Sequence, residues 1–303
     1  MSKIFVAGDF NLDLVVFLDQ LPKVGETLNA NRFLEGAGGK GSNQAIATAR
    51  LGAEVTFFGA IGDDYYGQVA QDIWRDNAVN TDYVVIDSES QTGLALINVD
   101  AEGNNTIAVA QGANLQLTLP HVDRARDAIR EADVVMCTLG IAHDIVHHVL
   151  QVANQAGTTT ILNPAPAMPL PQDTLLRVDI LTPNQGELAV LTGNSDVSLS
   201  IEEQARQLLS RDIQTVIVTL GASGAQWITT SDSEHIPTHK VDVVDTVGAG
   251  DAFNAGLAVA LAEGQSLTEA IEFANAVGAL SVQKEGAVAG MPSRDAVEQL
   301  LPN

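Results

Sequence analysis

Ile4-Phe5-Val6-Ala7-Gly8-Asp9-Phe10-Asn11-Leu12-Asp13 is the stretch that decides the fold class. A short apolar run containing β-branched residues, ended by glycine and an Asx-rich loop, reads as a buried strand whose carboxyl end opens into a polar turn. The turn lacks the spaced Gly-x-G-x-x-Gly of a dinucleotide-binding loop, which argues against a nicotinamide- or flavin-dependent oxidoreductase. In open α/β sheets, ligands bind outside the carboxyl ends of the strands, and this puts Asn11 and Asp13 at a candidate site. A carboxylate accepts from hydroxyls, while an amide both donates and accepts. The pair therefore suits an uncharged polyhydroxylated ligand. The competing reading of Asx residues after a strand is turn formation.

Working outward, similar runs recur at Val55 to Phe58, Val134 to Thr138, Thr159 to Leu162, Ile180 to Thr182 and Val216 to Thr219. Each is long enough for a buried parallel strand. Helical patterns lie between them at about 41–51, 66–77, 121–131, 144–156, 201–210, 251–263 and 267–284, with Gly52, Gly157 and Gly264 placed as stops. This alternation predicts a doubly wound sheet. No Pro/Gly/Ser-rich linker interrupts the 303 residues, so one large α/β domain over 1–303 is expected. Two stretches break the rhythm. One is Leu12 to Arg32; the other is Gly93 to Ala110, where two apolar runs flank Asp100-Ala101-Glu102-Gly103-Asn104-Asn105 and predict an antiparallel hairpin. Such additions at about 12–35 and 93–110 form either a sheet edge or a lid over a site.

Four further segments carry chemistry. Asp245-Thr246-Val247-Gly248-Ala249-Gly250-Asp251-Ala252-Phe253-Asn254-Ala255-Gly256 sets small residues and a carboxylate at a helix start. The amides of Gly248, Ala249 and Gly250 are expected to be uncovered, and the helix dipole adds positive character where a phosphate would sit. Asp251 is then a candidate base; the plainer reading makes it a helix cap. Gly36-Ala37-Gly38-Gly39-Lys40-Gly41-Ser42-Asn43-Gln44-Ala45 is a glycine-rich turn entering a helix, but not a Walker A loop, because Gly41 follows the lysine where Ser or Thr is needed. Here the glycines are expected to admit a ligand to the backbone, with Lys40 and Asn43 as side-chain contacts. Thr182-Pro183-Asn184-Gln185-Gly186-Glu187 spaces Asn184 and Glu187 either for a capping box or for organising magnesium-bound water near phosphates. Thr219-Leu220-Gly221-Ala222-Ser223-Gly224 is a further loop at a strand's carboxyl end.

The charge balance of 15 Lys plus Arg against 38 Asp plus Glu, formally −23, argues against nucleic acid and anionic membrane surfaces as partners. A nucleotide would need local help from Lys40, Lys284, amides and a divalent cation. The single Cys137, inside an apolar run, is expected to be a small buried hydrophobe. The start of the chain lacks a signal-peptide pattern and no apolar run reaches membrane-spanning length, so a cytoplasmic location is expected.

Taken in this order and spacing, the segments resemble the PfkB carbohydrate kinase family, in its ribokinase-like branch, over nearly the whole chain. Gly38-Gly39-Lys40-Gly41-Ser42-Asn43-Gln44-Ala45 is similar to the family's first signature and Asp245 to Asp251 to its second, with Asn184-x-x-Glu187 and Asn163-Pro164-Ala165-Pro166-Ala167 also matching. The resemblance implies a three-layer αβα sandwich with a mainly parallel central sheet and a small β-sheet lid, and a homodimer formed through the lids. It implies an ATP-dependent kinase that phosphorylates a primary hydroxyl of a small sugar. Ribose is the first candidate; deoxyribose, fructose or a nucleoside are alternatives. From another class, a silent sugar- or nucleotide-binding regulator remains an alternative.

By the same resemblance, Asp251 takes the proton and the amides of Ala249, Gly250 and Asp251 form an anion hole. Asn11, Asp13, Gly39, Lys40 and Asn43 hold the sugar. Asn184, Glu187, Thr219, Gly221, Gly224 and Asn275 surround ATP and its Mg2+. A potassium site involves Asp245, Val247, Ser281, Lys284, Gly286 and Gly290, largely through backbone carbonyls. Two departures stand out. Thr138-Leu139-Gly140-Ile141 lacks the sugar-contacting glutamate of ribokinase-like members, and Gly290 replaces their usual serine.

Overall fold

The first strand sends Ile4 and Val6 to one face and Phe5 and Ala7 to the other, and all four are buried. Burial on both faces requires a layer on each side. The computed structural model describes residues 1–193, 199–209 and 213–301. In chain order its strands are β1 (Lys3–Ala7), β2 (Asn11–Phe17), β3 (Arg32–Gly38), β4 (Glu54–Phe58), β5 (Ala60–Gly62), β6 (Val85–Asp87), β7 (Leu94–Val99), β8 (Asn105–Ala110), β9 (Val134–Thr138), β10 (Thr159–Asn163), β11 (Ile180–Leu181), β12 (Thr215–Thr219), β13 (Ala225–Ile228) and β14 (Ser233–Ile236). The helices are α1 (Lys40–Arg50), α2 (Tyr65–Asp76), α3 (Leu119–Arg124), α4 (Arg126–Glu131), α5 (His143–Ala156), α6 (Gln172–Leu175), α7 (Gln185–Thr192), α8 (Ile201–Leu209), α9 (Ala249–Ala262), α10 (Leu267–Ser281), α11 (Ala287–Gly290) and α12 (Arg294–Leu300).

The main sheet runs β14-β13-β12-β11-β10-β9-β1-β4, parallel from β4 to β12 and antiparallel over its last two strands. Period-two alternation sorts its side chains into two cores. Ile4, Val6, Val134, Met136, Ile161 and Ile217 join α1, α9 and α10. Phe5, Ala7, Val135, Cys137, Leu162, Val216 and Val218 join α5, α7 and α8. The three layers follow from this alternation. From β1 the sheet grows to β4 on one side and to β9 on the other, so the crevice at the switch point opens where β1 ends, at Gly8 to Asp13.

A separate sheet, ordered β3-β2-β7-β8, stands beside that opening. It contains the expected hairpin, β7 paired with β8 around Asp100 to Asn104, and the irregular Leu12–Arg32 stretch begins inside β2, which ends at Phe17, and closes on the first residue of β3. Residues Gly36 to Gly38, expected as part of a turn, are instead the end of β3, paired with β2 at Asn11 and Asp13. Arg32 at the start of β3 forks onto Glu285 and stacks over Phe17, which ties this sheet to the loop after α10.

Other expectations needed correction. The helix expected over 121–131 divides at Ala125, which keeps Val122, Ala125 and Ile129 all fully buried. The helix expected to reach 284 stops at Ser281, because the Val282 carbonyl is taken by the amides of Val244 and Asp245. The last residue of the helix expected over 201–210 lies outside the described residues. The hairpin β13–β14 and the two-stranded β5–β6 pair carry no long apolar run and were not legible as strands. Among the described residues, no helix is long and apolar enough to cross a membrane.

Candidate active site

The first turn of α1 docks directly on the loop after β1. A side-chain carbon on Gly41 would lie 2.6 Å from Gly8 Cα, and one on Gly39 would lie 2.6 Å from Phe10 Cα. At this contact the glycines serve backbone-to-backbone packing, a reason for glycine beyond the ligand approach expected from the sequence. The packing brings Lys40, Asn43 and Gln44 to the carboxyl end of β1. Asp13 faces them from β2. Its carboxylate lies over Gly38, where an added carbon would meet both oxygens at 2.3 and 2.4 Å.

Asp251 lies in the first turn of α9, only 6% exposed. Asn43 Nδ2 donates to its Oδ2 at 2.9 Å and Gln44 Nε2 to its Oδ1 at 3.1 Å. Burial raises the pKa of Asp251 above the usual carboxylate range; the Lys40 charge and these two hydrogen bonds oppose the rise, and Asp9 adds to it. Such a shift moves a carboxylate toward the range of an effective base. Asp13 is pushed to about 7, first by burial and then by the charge of Asp9, against the pull of Lys40. The Lys40 ammonium is held above its ordinary value, chiefly by Asp251, with Asp9, Glu187 and Asp13 contributing. Lys40 is therefore the cation that four carboxylates share. Two buried acceptors here, Asn43 Oδ1 and Gln44 Oε1, have no hydrogen-bond partner within the protein among the described residues.

The turn before α9 is built on Gly248, whose φ of +80° places it in the left-handed region as the helix N-cap. A side chain there would also press on Ala287 at 3.0 Å. The Ala249 amide donates to Thr246 O at 3.2 Å, so it is not uncovered as the sequence reading had it. The amides of Gly250 and Asp251 head the helix, and nothing lies within 4 Å of the carbon that would be added to Gly250. That open, exposed turn can take an anion. Behind it runs a network the sequence reading missed. Gln44 Nε2 also reaches Asn163 Oδ1 (3.1 Å), Asn163 Nδ2 reaches Thr182 O (3.2 Å), Thr182 Oγ1 reaches Asn254 Oδ1 (2.6 Å), and Asn254 Nδ2 reaches Gly250 O (2.8 Å). All four side chains are buried. Gln44 and Asn254 sit inside the two motifs that were read, but only their three-dimensional neighbours reveal the chain of bonds.

Asn11 is buried and doubly held. Its Nδ2 donates to Asp9 Oδ2 at 2.9 Å, and its Oδ1 accepts from the fully buried Asn114, which also clamps both backbone polar groups of Phe10. On the other side of Lys40, Asn184 and Glu187 form a reciprocal capping box at 2.8 and 2.9 Å at the start of α7. Burial raises the Glu187 pKa, with Lys40 opposing and Asp251 adding, so this carboxylate also faces the site. Thr219 bridges to Asn184 in parallel fashion, and Gly221 is exposed with open space around it. Gly224 and Asn275 behave differently. Gly224 is buried, with an added carbon only 2.2 Å from Ile236 O, and Asn275 Nδ2 donates to Ile236 O at 3.0 Å. Both shape the Ile236–Thr238 segment from inside.

Asp245 accepts from Val247 N (3.0 Å) and Gly286 N (2.8 Å), and Gly290 packs on Ser281, where an added carbon would meet the carbonyl oxygen at 2.3 Å. Asp245, Val247, Ser281, Gly286 and Gly290 thus come together next to the α9 turn, while Lys284 is on the exposed stretch between them. Among the described residues, no three His, Cys, Asp or Glu side chains converge as metal ligands. A divalent ion would therefore depend on ligand phosphates as well as on Glu187.

Residues 1–294 match the pfkB family carbohydrate kinase profile. The chain is 40% identical over 301 residues to a ribokinase of Bacillus subtilis (strain 168), covering 99% of this chain and 100% of that protein. It is 34% identical over 300 residues to a deoxyribokinase of Salmonella typhi, covering 98% of each. Among solved structures, Arabidopsis thaliana ribokinase complexed with ribose and ATP is similar with a TM-score of 0.92 and 33% identity, covering 100% of both chains.

Proposed function

Because the chain belongs to the PfkB carbohydrate kinase family, we propose that it transfers the γ-phosphate of ATP to a primary hydroxyl of a small sugar, and that this sugar is ribose. One observation carries the reading: a buried carboxylate, Asp251, held by Asn43 and Gln44, adjoins the open amide turn at Gly250. The sugar lies between Asp13, Asn11, Lys40 and Asn43, its hydroxymethyl oxygen directed at Asp251. Asp251 takes the hydroxyl proton while that oxygen bonds to the γ-phosphorus and the bond to the β–γ bridging oxygen breaks, releasing ADP. The Gly250 and Asp251 amides stabilise the charge on the transferring phosphoryl group. Lys40 opposes the rise in the Asp251 pKa and adds positive charge. Asn184, Glu187, Thr219 and Gly221 border the nucleotide, with Gly224 and Asn275 shaping that wall from behind.

Bound Mg2+ would neutralise phosphate charge at the Glu187 side. A potassium ion held by the carbonyls beside Asp245 would steady the α9 turn. A cytoplasmic location, where ATP is supplied, fits this reading and the lack of a signal-peptide pattern at the start of the sequence. The edge strand β8 is exposed throughout and shows Ile107 and Val109, with Leu96 and Phe33 also exposed on the same sheet. By the strand register Ile107 and Val109 lie on one face of this sheet and Leu96 and Phe33 on the other, so a partner that covers the open β8 edge and wraps both faces supports a homodimer through the lid sheets.

A second substrate reading, 2-deoxyribose, is favoured by the lack of any side chain at Gly140 and by the likeness to the deoxyribokinase. Coupled ADP release with MgATP across ribose, 2-deoxyribose, fructose and adenosine, in potassium or sodium, separates the two. Ribose turnover that disappears in Asp251→Asn is the expected result; near-normal activity of that variant would refute the role given to Asp251.

A further inference from the structure

Asp9 occupies the space that Gly140 leaves. A side-chain carbon on Gly140 would lie 2.2 Å from Asp9 Cγ and 2.3 Å from its Oδ1. A carboxylate that follows β1 thus fills the volume that any other residue following β9 would claim. Asp9 is 6% exposed and forms no ion pair of its own among the described residues. Its Oδ1 accepts from Gly41 N at 3.2 Å and from Thr138 Oγ1 at 3.4 Å; its Oδ2 accepts only from Asn11 Nδ2, at 2.9 Å. A carboxylate offers about four acceptor positions, so Oδ2 keeps a free one beside Asn11. The Asp9 charge is felt at Asp13, Lys40 and Asp251 alike, which sets it among the groups that surround the sugar.

Capping α1 accounts for part of this arrangement, since Gly41 N and Ser42 N bond Asp9 Oδ1 and O. A serine or asparagine would do that without the cost of burying a charge near two other carboxylates. Resting on the sugar-kinase reading above, we propose that Asp9 is a substrate-recognising carboxylate, its Oδ2 accepting from a ring hydroxyl, and that Gly140 is the clearance that lets it sit there.

The test pairs Asp9→Ser with the double variant D9G/G140D, which removes the whole side chain that a residue at 140 would meet, including its Cβ at 2.7 Å, and returns a carboxylate to the same space from the neighbouring strand. Ribose and its singly deoxygenated analogues are the substrates. We expect D9S to lower kcat/KM for ribose about 10- to 100-fold, with KM for MgATP unchanged. For the analogue lacking the hydroxyl that Asp9 reads, D9S should cause no further loss, and the double variant should recover part of the ribose activity. An equal loss on every sugar, or no loss on any, would overturn the inference while leaving the kinase reading intact. Wild-type silence on every sugar would instead overturn the kinase reading, and this inference with it. If D9S fails to fold, Asp9→Asn run against the same sugars gives the same comparison.

Discussion

Ionising Asp13 works against the folded, ligand-free protein, and Asp13→Asn should reveal it. Its carboxyl titrates near 3.8 in a free chain and at about 7 here, pushed up by burial and by Asp9 and Asp251. Because the folded value is the higher one, the native state holds an extra proton between those two values. Stability from this group is therefore full below about 4, falls as pH rises through the window, and has been lost once pH passes about 7. At complete burial the difference would be roughly 4 kcal/mol. Asp13 is only partly buried and faces Lys40, so solvent screening brings the expected effect to about 1–2 kcal/mol. Neither Asp13 oxygen accepts a hydrogen bond within the protein among the described residues, and so the amide loses no partner. Because pH 5 already lies inside the window, thermal unfolding at pH 5 and pH 8 should show the variant gaining about 1–2 °C on wild type between the two pH values, while its kcat/KM for sugar falls. A difference in unfolding temperature that is the same at both pH values, or that shrinks toward pH 8, would refute the argument. The same titration predicts that wild-type kcat/KM for sugar rises with pH through about 7, and that Asp13→Asn removes the Asp13 part of this rise and leaves the part that Asp251 sets.

Replacing Gln44 with Met removes one donor from Asp251 Oδ1 and leaves Asn163 Oδ1 without it; stability should fall by about 1–3 kcal/mol, and the acid limb of the kcat/KM profile should move to higher pH, an unmoved limb arguing against the contact. Gly248→Ala and Gly264→Ala both force alanine into the left-handed region, with φ of +80° and +82°, at about 1–2 kcal/mol each. Only the first presses on Ala287 and sits under the anion turn, so kcat should fall in Gly248→Ala and hold in Gly264→Ala; equal kinetics would show that the turn tolerates displacement. Cys137 is fully buried and its thiol is pushed up by burial alone, so a thiol reagent should label it only after unfolding in urea, and rapid labelling of the native protein would contradict the packing.

Local chemistry made much of this molecule legible from its sequence. The apolar runs at Ile4, Val134, Thr159 and Val216 became strands because their side chains match burial on both faces, and the Asn184–Glu187 spacing became a capping box because that bond closes within one helical turn. Gly248 and Asp251 were visible because a left-handed turn before a helix has few sequence solutions. Tertiary structure alone decided the rest, since distant segments had to meet. Strand order put the ends of β1 and β9 side by side, so that Asp9 could fill the room over Gly140. Docking of α1 on the β1 loop turned Gln44 from a helix residue into a donor to Asp251, and joined Asn163, Thr182 and Asn254 behind it. A sequence specifies which groups are present and how short stretches fold; whether a carboxylate is buried, shared or left with a free lone pair depends on neighbours more than a hundred residues away, and only packing supplies them.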